Sequence, residues 1–162
     1  MKILIVSDTH GDNSNFYKVL KSVGKIDYLI HAGDIQGSSN EIINAADCPS
    51  YMVSGNNDFS FSLNKQELFS ISGNTFLLVH GHKEGVYFGT DRLVYKAAEL
   101  GANIVVYGHT HIPRVQYDEE YKIWIVNPGS LTYPRQAGHK PSYIILDINQ
   151  EGTLEFNIYY LS

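Results

Sequence analysis

Apolar residues along this chain follow two rhythms. Lys2 to Ser7 is a nearly unbroken apolar run, the pattern of a β-strand covered on both faces. Polar residues then lead into Asn13 to Val23, where Phe16, Val19, Leu20 and Val23 recur at helical spacing behind candidate capping residues. The stretches "DYLIHAGD" and "SYMVSGNND" repeat the first rhythm, each a short strand that stops in a cluster of Gly, Asn, Asp and His. A helix around Glu41 to Ala46 separates those two. Strand, polar loop, helix and strand in alternation predict an α/β fold with parallel pairing.

The second half changes style. "NTFLLVHGH" ends a further strand, Asp91 to Leu100 reads as a helix, and "NIVVYGHTH" ends another strand. From Val115 onward the runs "VQYD", "KIWIVN", "SYIILDI" and "LEFNIYYL" are strand-like, with turn residues between them and little helical pattern. A parallel-rich first half followed by an antiparallel-rich second half predicts two sheets rather than one.

Composition narrows the class. A chain of 162 residues with 43% hydrophobic content suits one domain with one core, residues 1–162, and shows no repeat or low-complexity run. No apolar segment is long enough to span a bilayer, and the opening "MKILIVSD" is too short for a secretory leader. The single cysteine, Cys48, cannot form an intrachain disulfide, which points to a reducing cytoplasm; before Pro49 its expected role is that of a half-buried thiol. A formal net charge of −5 without a Lys/Arg cluster argues against a long nucleic-acid partner. A small anionic substrate stays open, because bound cations can reverse the local sign. Strand and aromatic content permit a homodimer or higher homo-oligomer without requiring one.

The strand ends carry the chemistry. They present Asp8 and His10 in "SDTHG", Asp34 in "HAGD", Asn56 in "GNND", His80 in "HGH", and His109 and His111 in "GHTH". In α/β sheets, sites gather at the carboxyl ends of strands, so residues far apart in sequence can converge there. In an extended segment, i and i+2 point the same way, so Asp8/His10 and His109/His111 would each offer two ligands to one locus. Gly11, Gly33, Gly55, Gly81 and Gly108 allow sharp turns and a close backbone. Mixed imidazole and carboxylate donors suit Mn, Fe, Zn or Ni better than Ca or Mg. Any one of these pieces occurs by chance; five in one short chain, each at a strand end, do not read as chance. His31, inside a strand, and His139, in a Gly/Pro loop, are expected to stand outside the site.

Asp-x-His, Gly-Asp, Gly-Asn-x-Asp, His and Gly-His-x-His, in this order over almost the whole chain, resemble the calcineurin-like metallophosphoesterase superfamily. The "SDTHG" start, the "NPGS" stretch at Asn127 to Ser130 and the small size resemble its YfcE-like small phosphodiesterases. The resemblance implies a four-layer α/β/β/α sandwich, two facing mixed β-sheets flanked by helices. It implies two divalent cations, manganese first, with Ni, Zn, Fe or Mg as alternatives. Asp8, His10 and His111 would hold one cation, Asn56, His80 and His109 the other, and Asp34 would bridge them. The implied activity is hydrolysis of a small phosphodiester by in-line attack of a hydroxide shared between the metals. The alternatives are a non-catalytic metal-binding scaffold of the same fold, as in the metallophosphoesterase-like retromer subunit, and a phosphomonoesterase.

Larger relatives carry a histidine where this chain has Asn57, and that histidine can protonate the leaving group. An amide cannot supply a proton at neutral pH, so help typically worth about 10²–10⁴-fold is expected to be missing there. His82 is a candidate substitute acid or phosphate contact, Arg135 a candidate cation for the substrate phosphate, and Asp58 a brace for its loop. Tyr87 and Phe88 are candidate walls of a pocket for a base or aryl group, although aromatics more often pack.

Overall fold

The computed structural model describes residues 1–59 and 62–162. Ten strands and three helices follow in the order β1 (Lys2–Val6), α1 (Ser14–Val23), β2 (Tyr28–His31), α2 (Ser39–Ala46), β3 (Ser50–Met52), β4 (Gln66–Ile71), β5 (Asn74–Val79), α3 (Asp91–Leu100), β6 (Ile104–Val106), β7 (Arg114–Asp118), β8 (Ile123–Asn127), β9 (Ser142–Ile148) and β10 (Leu154–Tyr160). They form two five-stranded sheets, ordered β10-β9-β1-β2-β3 and β4-β5-β6-β8-β7.

The unbroken apolar runs are explained by what covers each face. Along β1, Ile3 and Ile5 enter the core between the two sheets, whereas Leu4 and Val6 pack under α1 and α2 with Phe16, Val19 and Ile42. Along β5, Phe76 and Leu78 face the inter-sheet core, and Leu77 and Val79 face Leu93, Val94 and Ala97 of α3. Period-two alternation is therefore present, with both faces apolar. Three apolar clusters correspond to three interfaces, which makes the expected α/β/β/α layering.

Both sheets are mixed, as expected, and neither is confined to one half of the chain: β9 returns to pair antiparallel with β1 and carries β10 with it. Bringing the most apolar late strand, with Tyr143 to Leu146 all buried, beside β1 covers it on both faces. Strand β4 has no counterpart in the sequence reading; it pairs with β5 around a turn in which Ser72 and Gly73 both have positive φ. Its residues are mostly half-buried or exposed, so the apolar signal is weak.

Candidate metal centre

All seven candidate ligands gather past the carboxyl ends of β1, β2, β3, β5 and β6, but not by strand alternation. Asp8, His10, Asp34, His109 and His111 have φ of 54°, 47°, 56°, 66° and 59°, so they sit in left-handed turns just past β1, β2 and β6. The expected i, i+2 extended geometry is thus corrected: each side chain is aimed by its own strained turn. Such conformations cost a non-glycine residue free energy and gather where the surrounding structure over-determines them. Here the surroundings include backbone bonds from Asp8 N–H to Gly33 C=O at 3.0 Å and from His10 N–H to Asp34 C=O at 2.9 Å.

Close approach also needs glycine. A Cβ on Gly55 would lie 2.1 Å from Asp34 Oδ1, and one on Gly108 would lie 2.7 Å from Asp8 Oδ2. Both are shorter than any tolerable contact, so the loops close around the carboxylates only because these positions lack side chains.

One ligand atom each from Asp8, His10, Asp34 and His111 lies within 4.8 Å of the others. Asp8 Oδ1 is 3.1 Å from His111 Nε2, 3.8 Å from His10 Nε2 and 3.9 Å from His80 Nε2. Asp34 Oδ2 is 3.8 Å from His10 Nε2 and 3.4 Å from His80 Nε2, which puts it between the two proposed groups. His80 Nε2 is 3.1 Å from Asn56 Oδ1, and the His80 and His109 rings are 5.1 Å apart.

Backbone carbonyls fix the ring states. His80 Nδ1 lies 2.7 Å from Ala32 C=O and His111 Nδ1 lies 2.7 Å from Tyr133 C=O. A carbonyl only accepts, so Nδ1 carries the proton in both rings, and each Nε2 turns a lone pair toward carboxylate oxygens. His10 Nε2 and His111 Nε2 also face each other at 3.3 Å. Asp8 is fully buried, and its Oδ1 accepts no hydrogen bond among the described residues. Converging acceptors repel unless a positive charge lies among them. The donor set and its orphaned oxygen therefore fit a divalent cation.

Without a cation, a proton partly substitutes. Burial would lower the His80 pKa, but its bond to Asp34 and the charges of Asp8 and Asp34 raise it above the ordinary value. Burial likewise opposes ionisation of Asp34, yet bonds from His80 and from the backbone and side chain of Asn57 hold it well below the usual carboxylate range. Burial, reinforced by the neighbouring His80, pushes His109 down to about 4. Burial also lowers His10, against the raising effect of Asp8 and Asp34.

Several supports had no signature in the sequence, whereas Asn127 and Ser130 of the NPGS turn, expected to act through backbone groups, act through their side chains. Ser7 Oγ donates to Asp8 Oδ2 at 2.5 Å, and His109 N–H donates to the same oxygen at 3.1 Å. His31 ends β2 fully buried, with Nε2 3.2 Å from Thr9 Oγ1 and Nδ1 accepting from Gly33 N–H at 3.2 Å. It therefore ties the two loops that carry Asp8, His10 and Asp34, nearer the site than expected, while His139 is exposed and bonds Pro134 C=O. Ser130 Oγ donates to Asp8 C=O at 2.8 Å, and Asn127 Nδ2 to Gly108 C=O at 3.0 Å.

Asn57 points inward. Its backbone N–H donates to Asp34 Oδ1 at 2.9 Å and its Nδ2 to Asp34 Oδ2 at 2.7 Å. Asp58 accepts from the N–H groups of Ile35, Gln36 and Gly55, which bears out the loop-brace expectation. The His82 ring is 5.4 Å from that of His80, its Nδ1 is buried without a partner among the described residues, and burial with the His80 charge lowers its pKa. Arg135 is exposed; its guanidinium donates to the Tyr87 hydroxyl, which donates to His109 C=O at 3.1 Å. A cleft of about 580 Å³ opens beside Asn56, with Lys65 and Lys83 in its walls, two cations closer to that ligand than sequence order suggests.

The model of the calcineurin-like phosphoesterase superfamily domain matches residues 1–151. A probable metallophosphoesterase of Mycoplasma genitalium is 32% identical over 164 residues, covering 99% of this chain and 95% of that protein. The phosphodiesterase YfcE of Escherichia coli is 38% identical over 86 residues, 52% of this chain and 36% of that protein. Among solved structures, Vps29 of Entamoeba histolytica complexed with zinc superposes with a TM-score of 0.78 at 20% identity, covering 99% of each chain. An archaeal phosphodiesterase superposes with a TM-score of 0.76 at 23% identity, covering 99% of this chain and 100% of that one. At such identities the two structures speak for the fold.

Proposed function

Because the chain belongs to the calcineurin-like phosphoesterase superfamily, we propose that it is a dinuclear-metal phosphodiesterase acting on small diesters. The convergence of Asp8, His10, Asp34 and His111 around an orphaned carboxylate oxygen carries this reading. Asp8, His10 and His111 would hold one cation, Asn56, His80 and His109 the other, with Asp34 shared. Manganese is the leading candidate for this donor set, ahead of Ni, Zn, Fe or Mg. When bound, two cations supply Lewis-acid charge for the phosphate and lower the pKa of water. They would also neutralise most of the formal −5.

The chain's own residues set the limits of the reaction. Asn57 spends its amide on Asp34, so no acid stands at that position and poor leaving groups go without a proton from it. With its pKa lowered, His82 is neutral at physiological pH and serves as a hydrogen-bonding wall of the site rather than a standing imidazolium. Arg135, held by Tyr87 above the His109 loop, offers a charge to the substrate phosphate. Such a site should cleave diesters with activated leaving groups fastest, and ordinary monoesters poorly. The single cysteine and acidic composition suit a cytoplasmic enzyme of one domain, residues 1–162.

The test is hydrolysis of an activated aryl diester and its monoester by metal-stripped protein reconstituted with Mn²⁺, Ni²⁺, Zn²⁺ or Mg²⁺, beside a His109→Ala control. Metal-dependent diester cleavage, lost in the control, is expected. Binding of two metals without cleavage of any ester would replace this reading with that of a metal-binding scaffold.

A further inference from the structure

His82 and Lys83 line two clefts at once. One, of about 580 Å³, opens beside Asn56 and carries Phe59 and Lys65; the other, of about 500 Å³, carries Phe88 and Arg92. The His82 ring is 5.4 Å from that of His80 and 6.0 Å from that of His109, so both clefts begin next to the proposed second cation. Each volume lies in the range that encloses one small organic group.

Each cleft holds one phenylalanine that the fold leaves in water. Phe59 is 88% exposed and Phe88 is 99% exposed, so neither ring contributes to the core. A single exposed apolar residue is ordinary. Two, one per cleft and both beside the site, form a pair of aromatic platforms.

The charges around them are complementary to an anion. Lys65, Lys83 and Arg92 stand in the two linings of a chain whose formal net charge is −5. Of the carboxylates there, Glu84 pairs with Lys96 at 2.7 Å and Asp58 is taken up by three backbone N–H groups. Asp91 lies in the first turn of α3, where the helix dipole offsets its charge.

We propose that the two clefts are paired base-stacking subsites, and that the substrate class is a dinucleotide or short single-stranded oligonucleotide. This rests on the phosphodiesterase reading above. The scissile phosphate would lie at the metal centre, one base on Phe59 and the other on Phe88, with Lys65, Lys83 and Arg92 beside the phosphates that flank it in a longer strand. Aromatic platforms with interleaved cations are how single strands are bound without reading their sequence. The reaction is hydrolysis: water adds its oxygen to phosphorus, the bond from phosphorus to one ester oxygen breaks, and that oxygen leaves as an alcohol with a proton from water. A dinucleotide gives one nucleotide and one nucleoside, and no co-reactant besides water is needed.

The experiment compares the metal-reconstituted full chain with Phe59→Ala and Phe88→Ala, on a dithymidine monophosphate dinucleotide and on the activated aryl diester. Each substitution is expected to raise the dinucleotide KM roughly 5- to 100-fold, with kcat and melting temperature little changed. Cleavage of the aryl diester with no action on the dinucleotide would overturn the subsites and leave the phosphodiesterase reading intact. So would dinucleotide turnover with the same KM in both variants. If no diester is cleaved, the phosphodiesterase reading fails by itself. Dinucleotide affinity by calorimetry then decides the subsites, weaker binding in both variants supporting them and equal binding refuting them.

Discussion

Asp8, Asp34, His80 and His111 are at most 4% exposed, whereas Phe59, Tyr87, Phe88 and Tyr133, a few residues away, are at least 55% exposed. The buried floor is over-determined: its carboxylates and imidazoles are held by backbone N–H and C=O groups, and glycines admit no alternative. Apart from the hydroxyl of Tyr87 and the carbonyl of Tyr133, which accepts from His111, the rim makes few bonds that the floor depends on. The contrast teaches that floor changes should act on turnover and folding, and rim changes on substrate affinity.

The sharpest way to break that division is Asp34→Asn. It removes the charge between the two ligand groups, and steady-state kinetics should show a loss of at least about 10³-fold in kcat, beyond the 10–100-fold usual for a residue that only orients a ligand. A modest KM effect instead would erase the distinction. Gly55→Ala comes next, because its Cβ would collide with Asp34 Oδ1 at 2.1 Å. Urea unfolding should register a cost of about 1–3 kcal/mol, accompanied by most of the activity loss.

The floor should also be acid-sensitive. Burial lowers the His31 pKa from 6.5 to about 4, so the unfolded chain takes up its proton first. Stability is then lost as pH falls from about 6.5 to about 4 and levels off below, by about 3 kcal/mol. Denaturant titrations of metal-free protein across that window should show the slope, and His31→Gln should reduce it, leaving the shares of His109 and His10.

Asn57→His sits where floor and rim meet. It offers an acid but gives up the 2.7 Å bond to Asp34, so roughly tenfold gains on poor leaving groups should come with losses on activated ones. An unchanged dependence of rate on leaving-group pKa would show that residue 57 does not face the leaving group. The smallest effect is expected for Arg135→Gln on the rim, a KM increase of about threefold with kcat held, as befits an exposed charge.

Much of this was legible in the sequence. Order and spacing of the motifs singled out seven residues that the fold brings together, because metal-type side chains recur after the apolar strands. The continuous run at Lys2 to Val6 identified the central strand because both faces are covered. What could not be read was how the ligands are aimed. Left-handed φ at His10 or His109 leaves only a weak residue signature, because histidine takes up extended and helical angles far more often. The supports at Ala32 C=O and Tyr133 C=O are silent, because any residue carries a carbonyl. Strand β4 was hidden by its polar edge, and Asn57 was legible as a missing acid but not as the partner of Asp34.

The left-handed turns also bear on how such a protein ages in evolution. Five residues hold backbone angles that glycine would adopt with less strain, a cost that a bound cation would offset. Once selection for hydrolysis lapses, replacing those histidines with glycine relaxes the fold while erasing the chemistry. Descent toward an inert but sturdy body is then the downhill direction, and a lineage that retains these five residues does so against their own conformational preference.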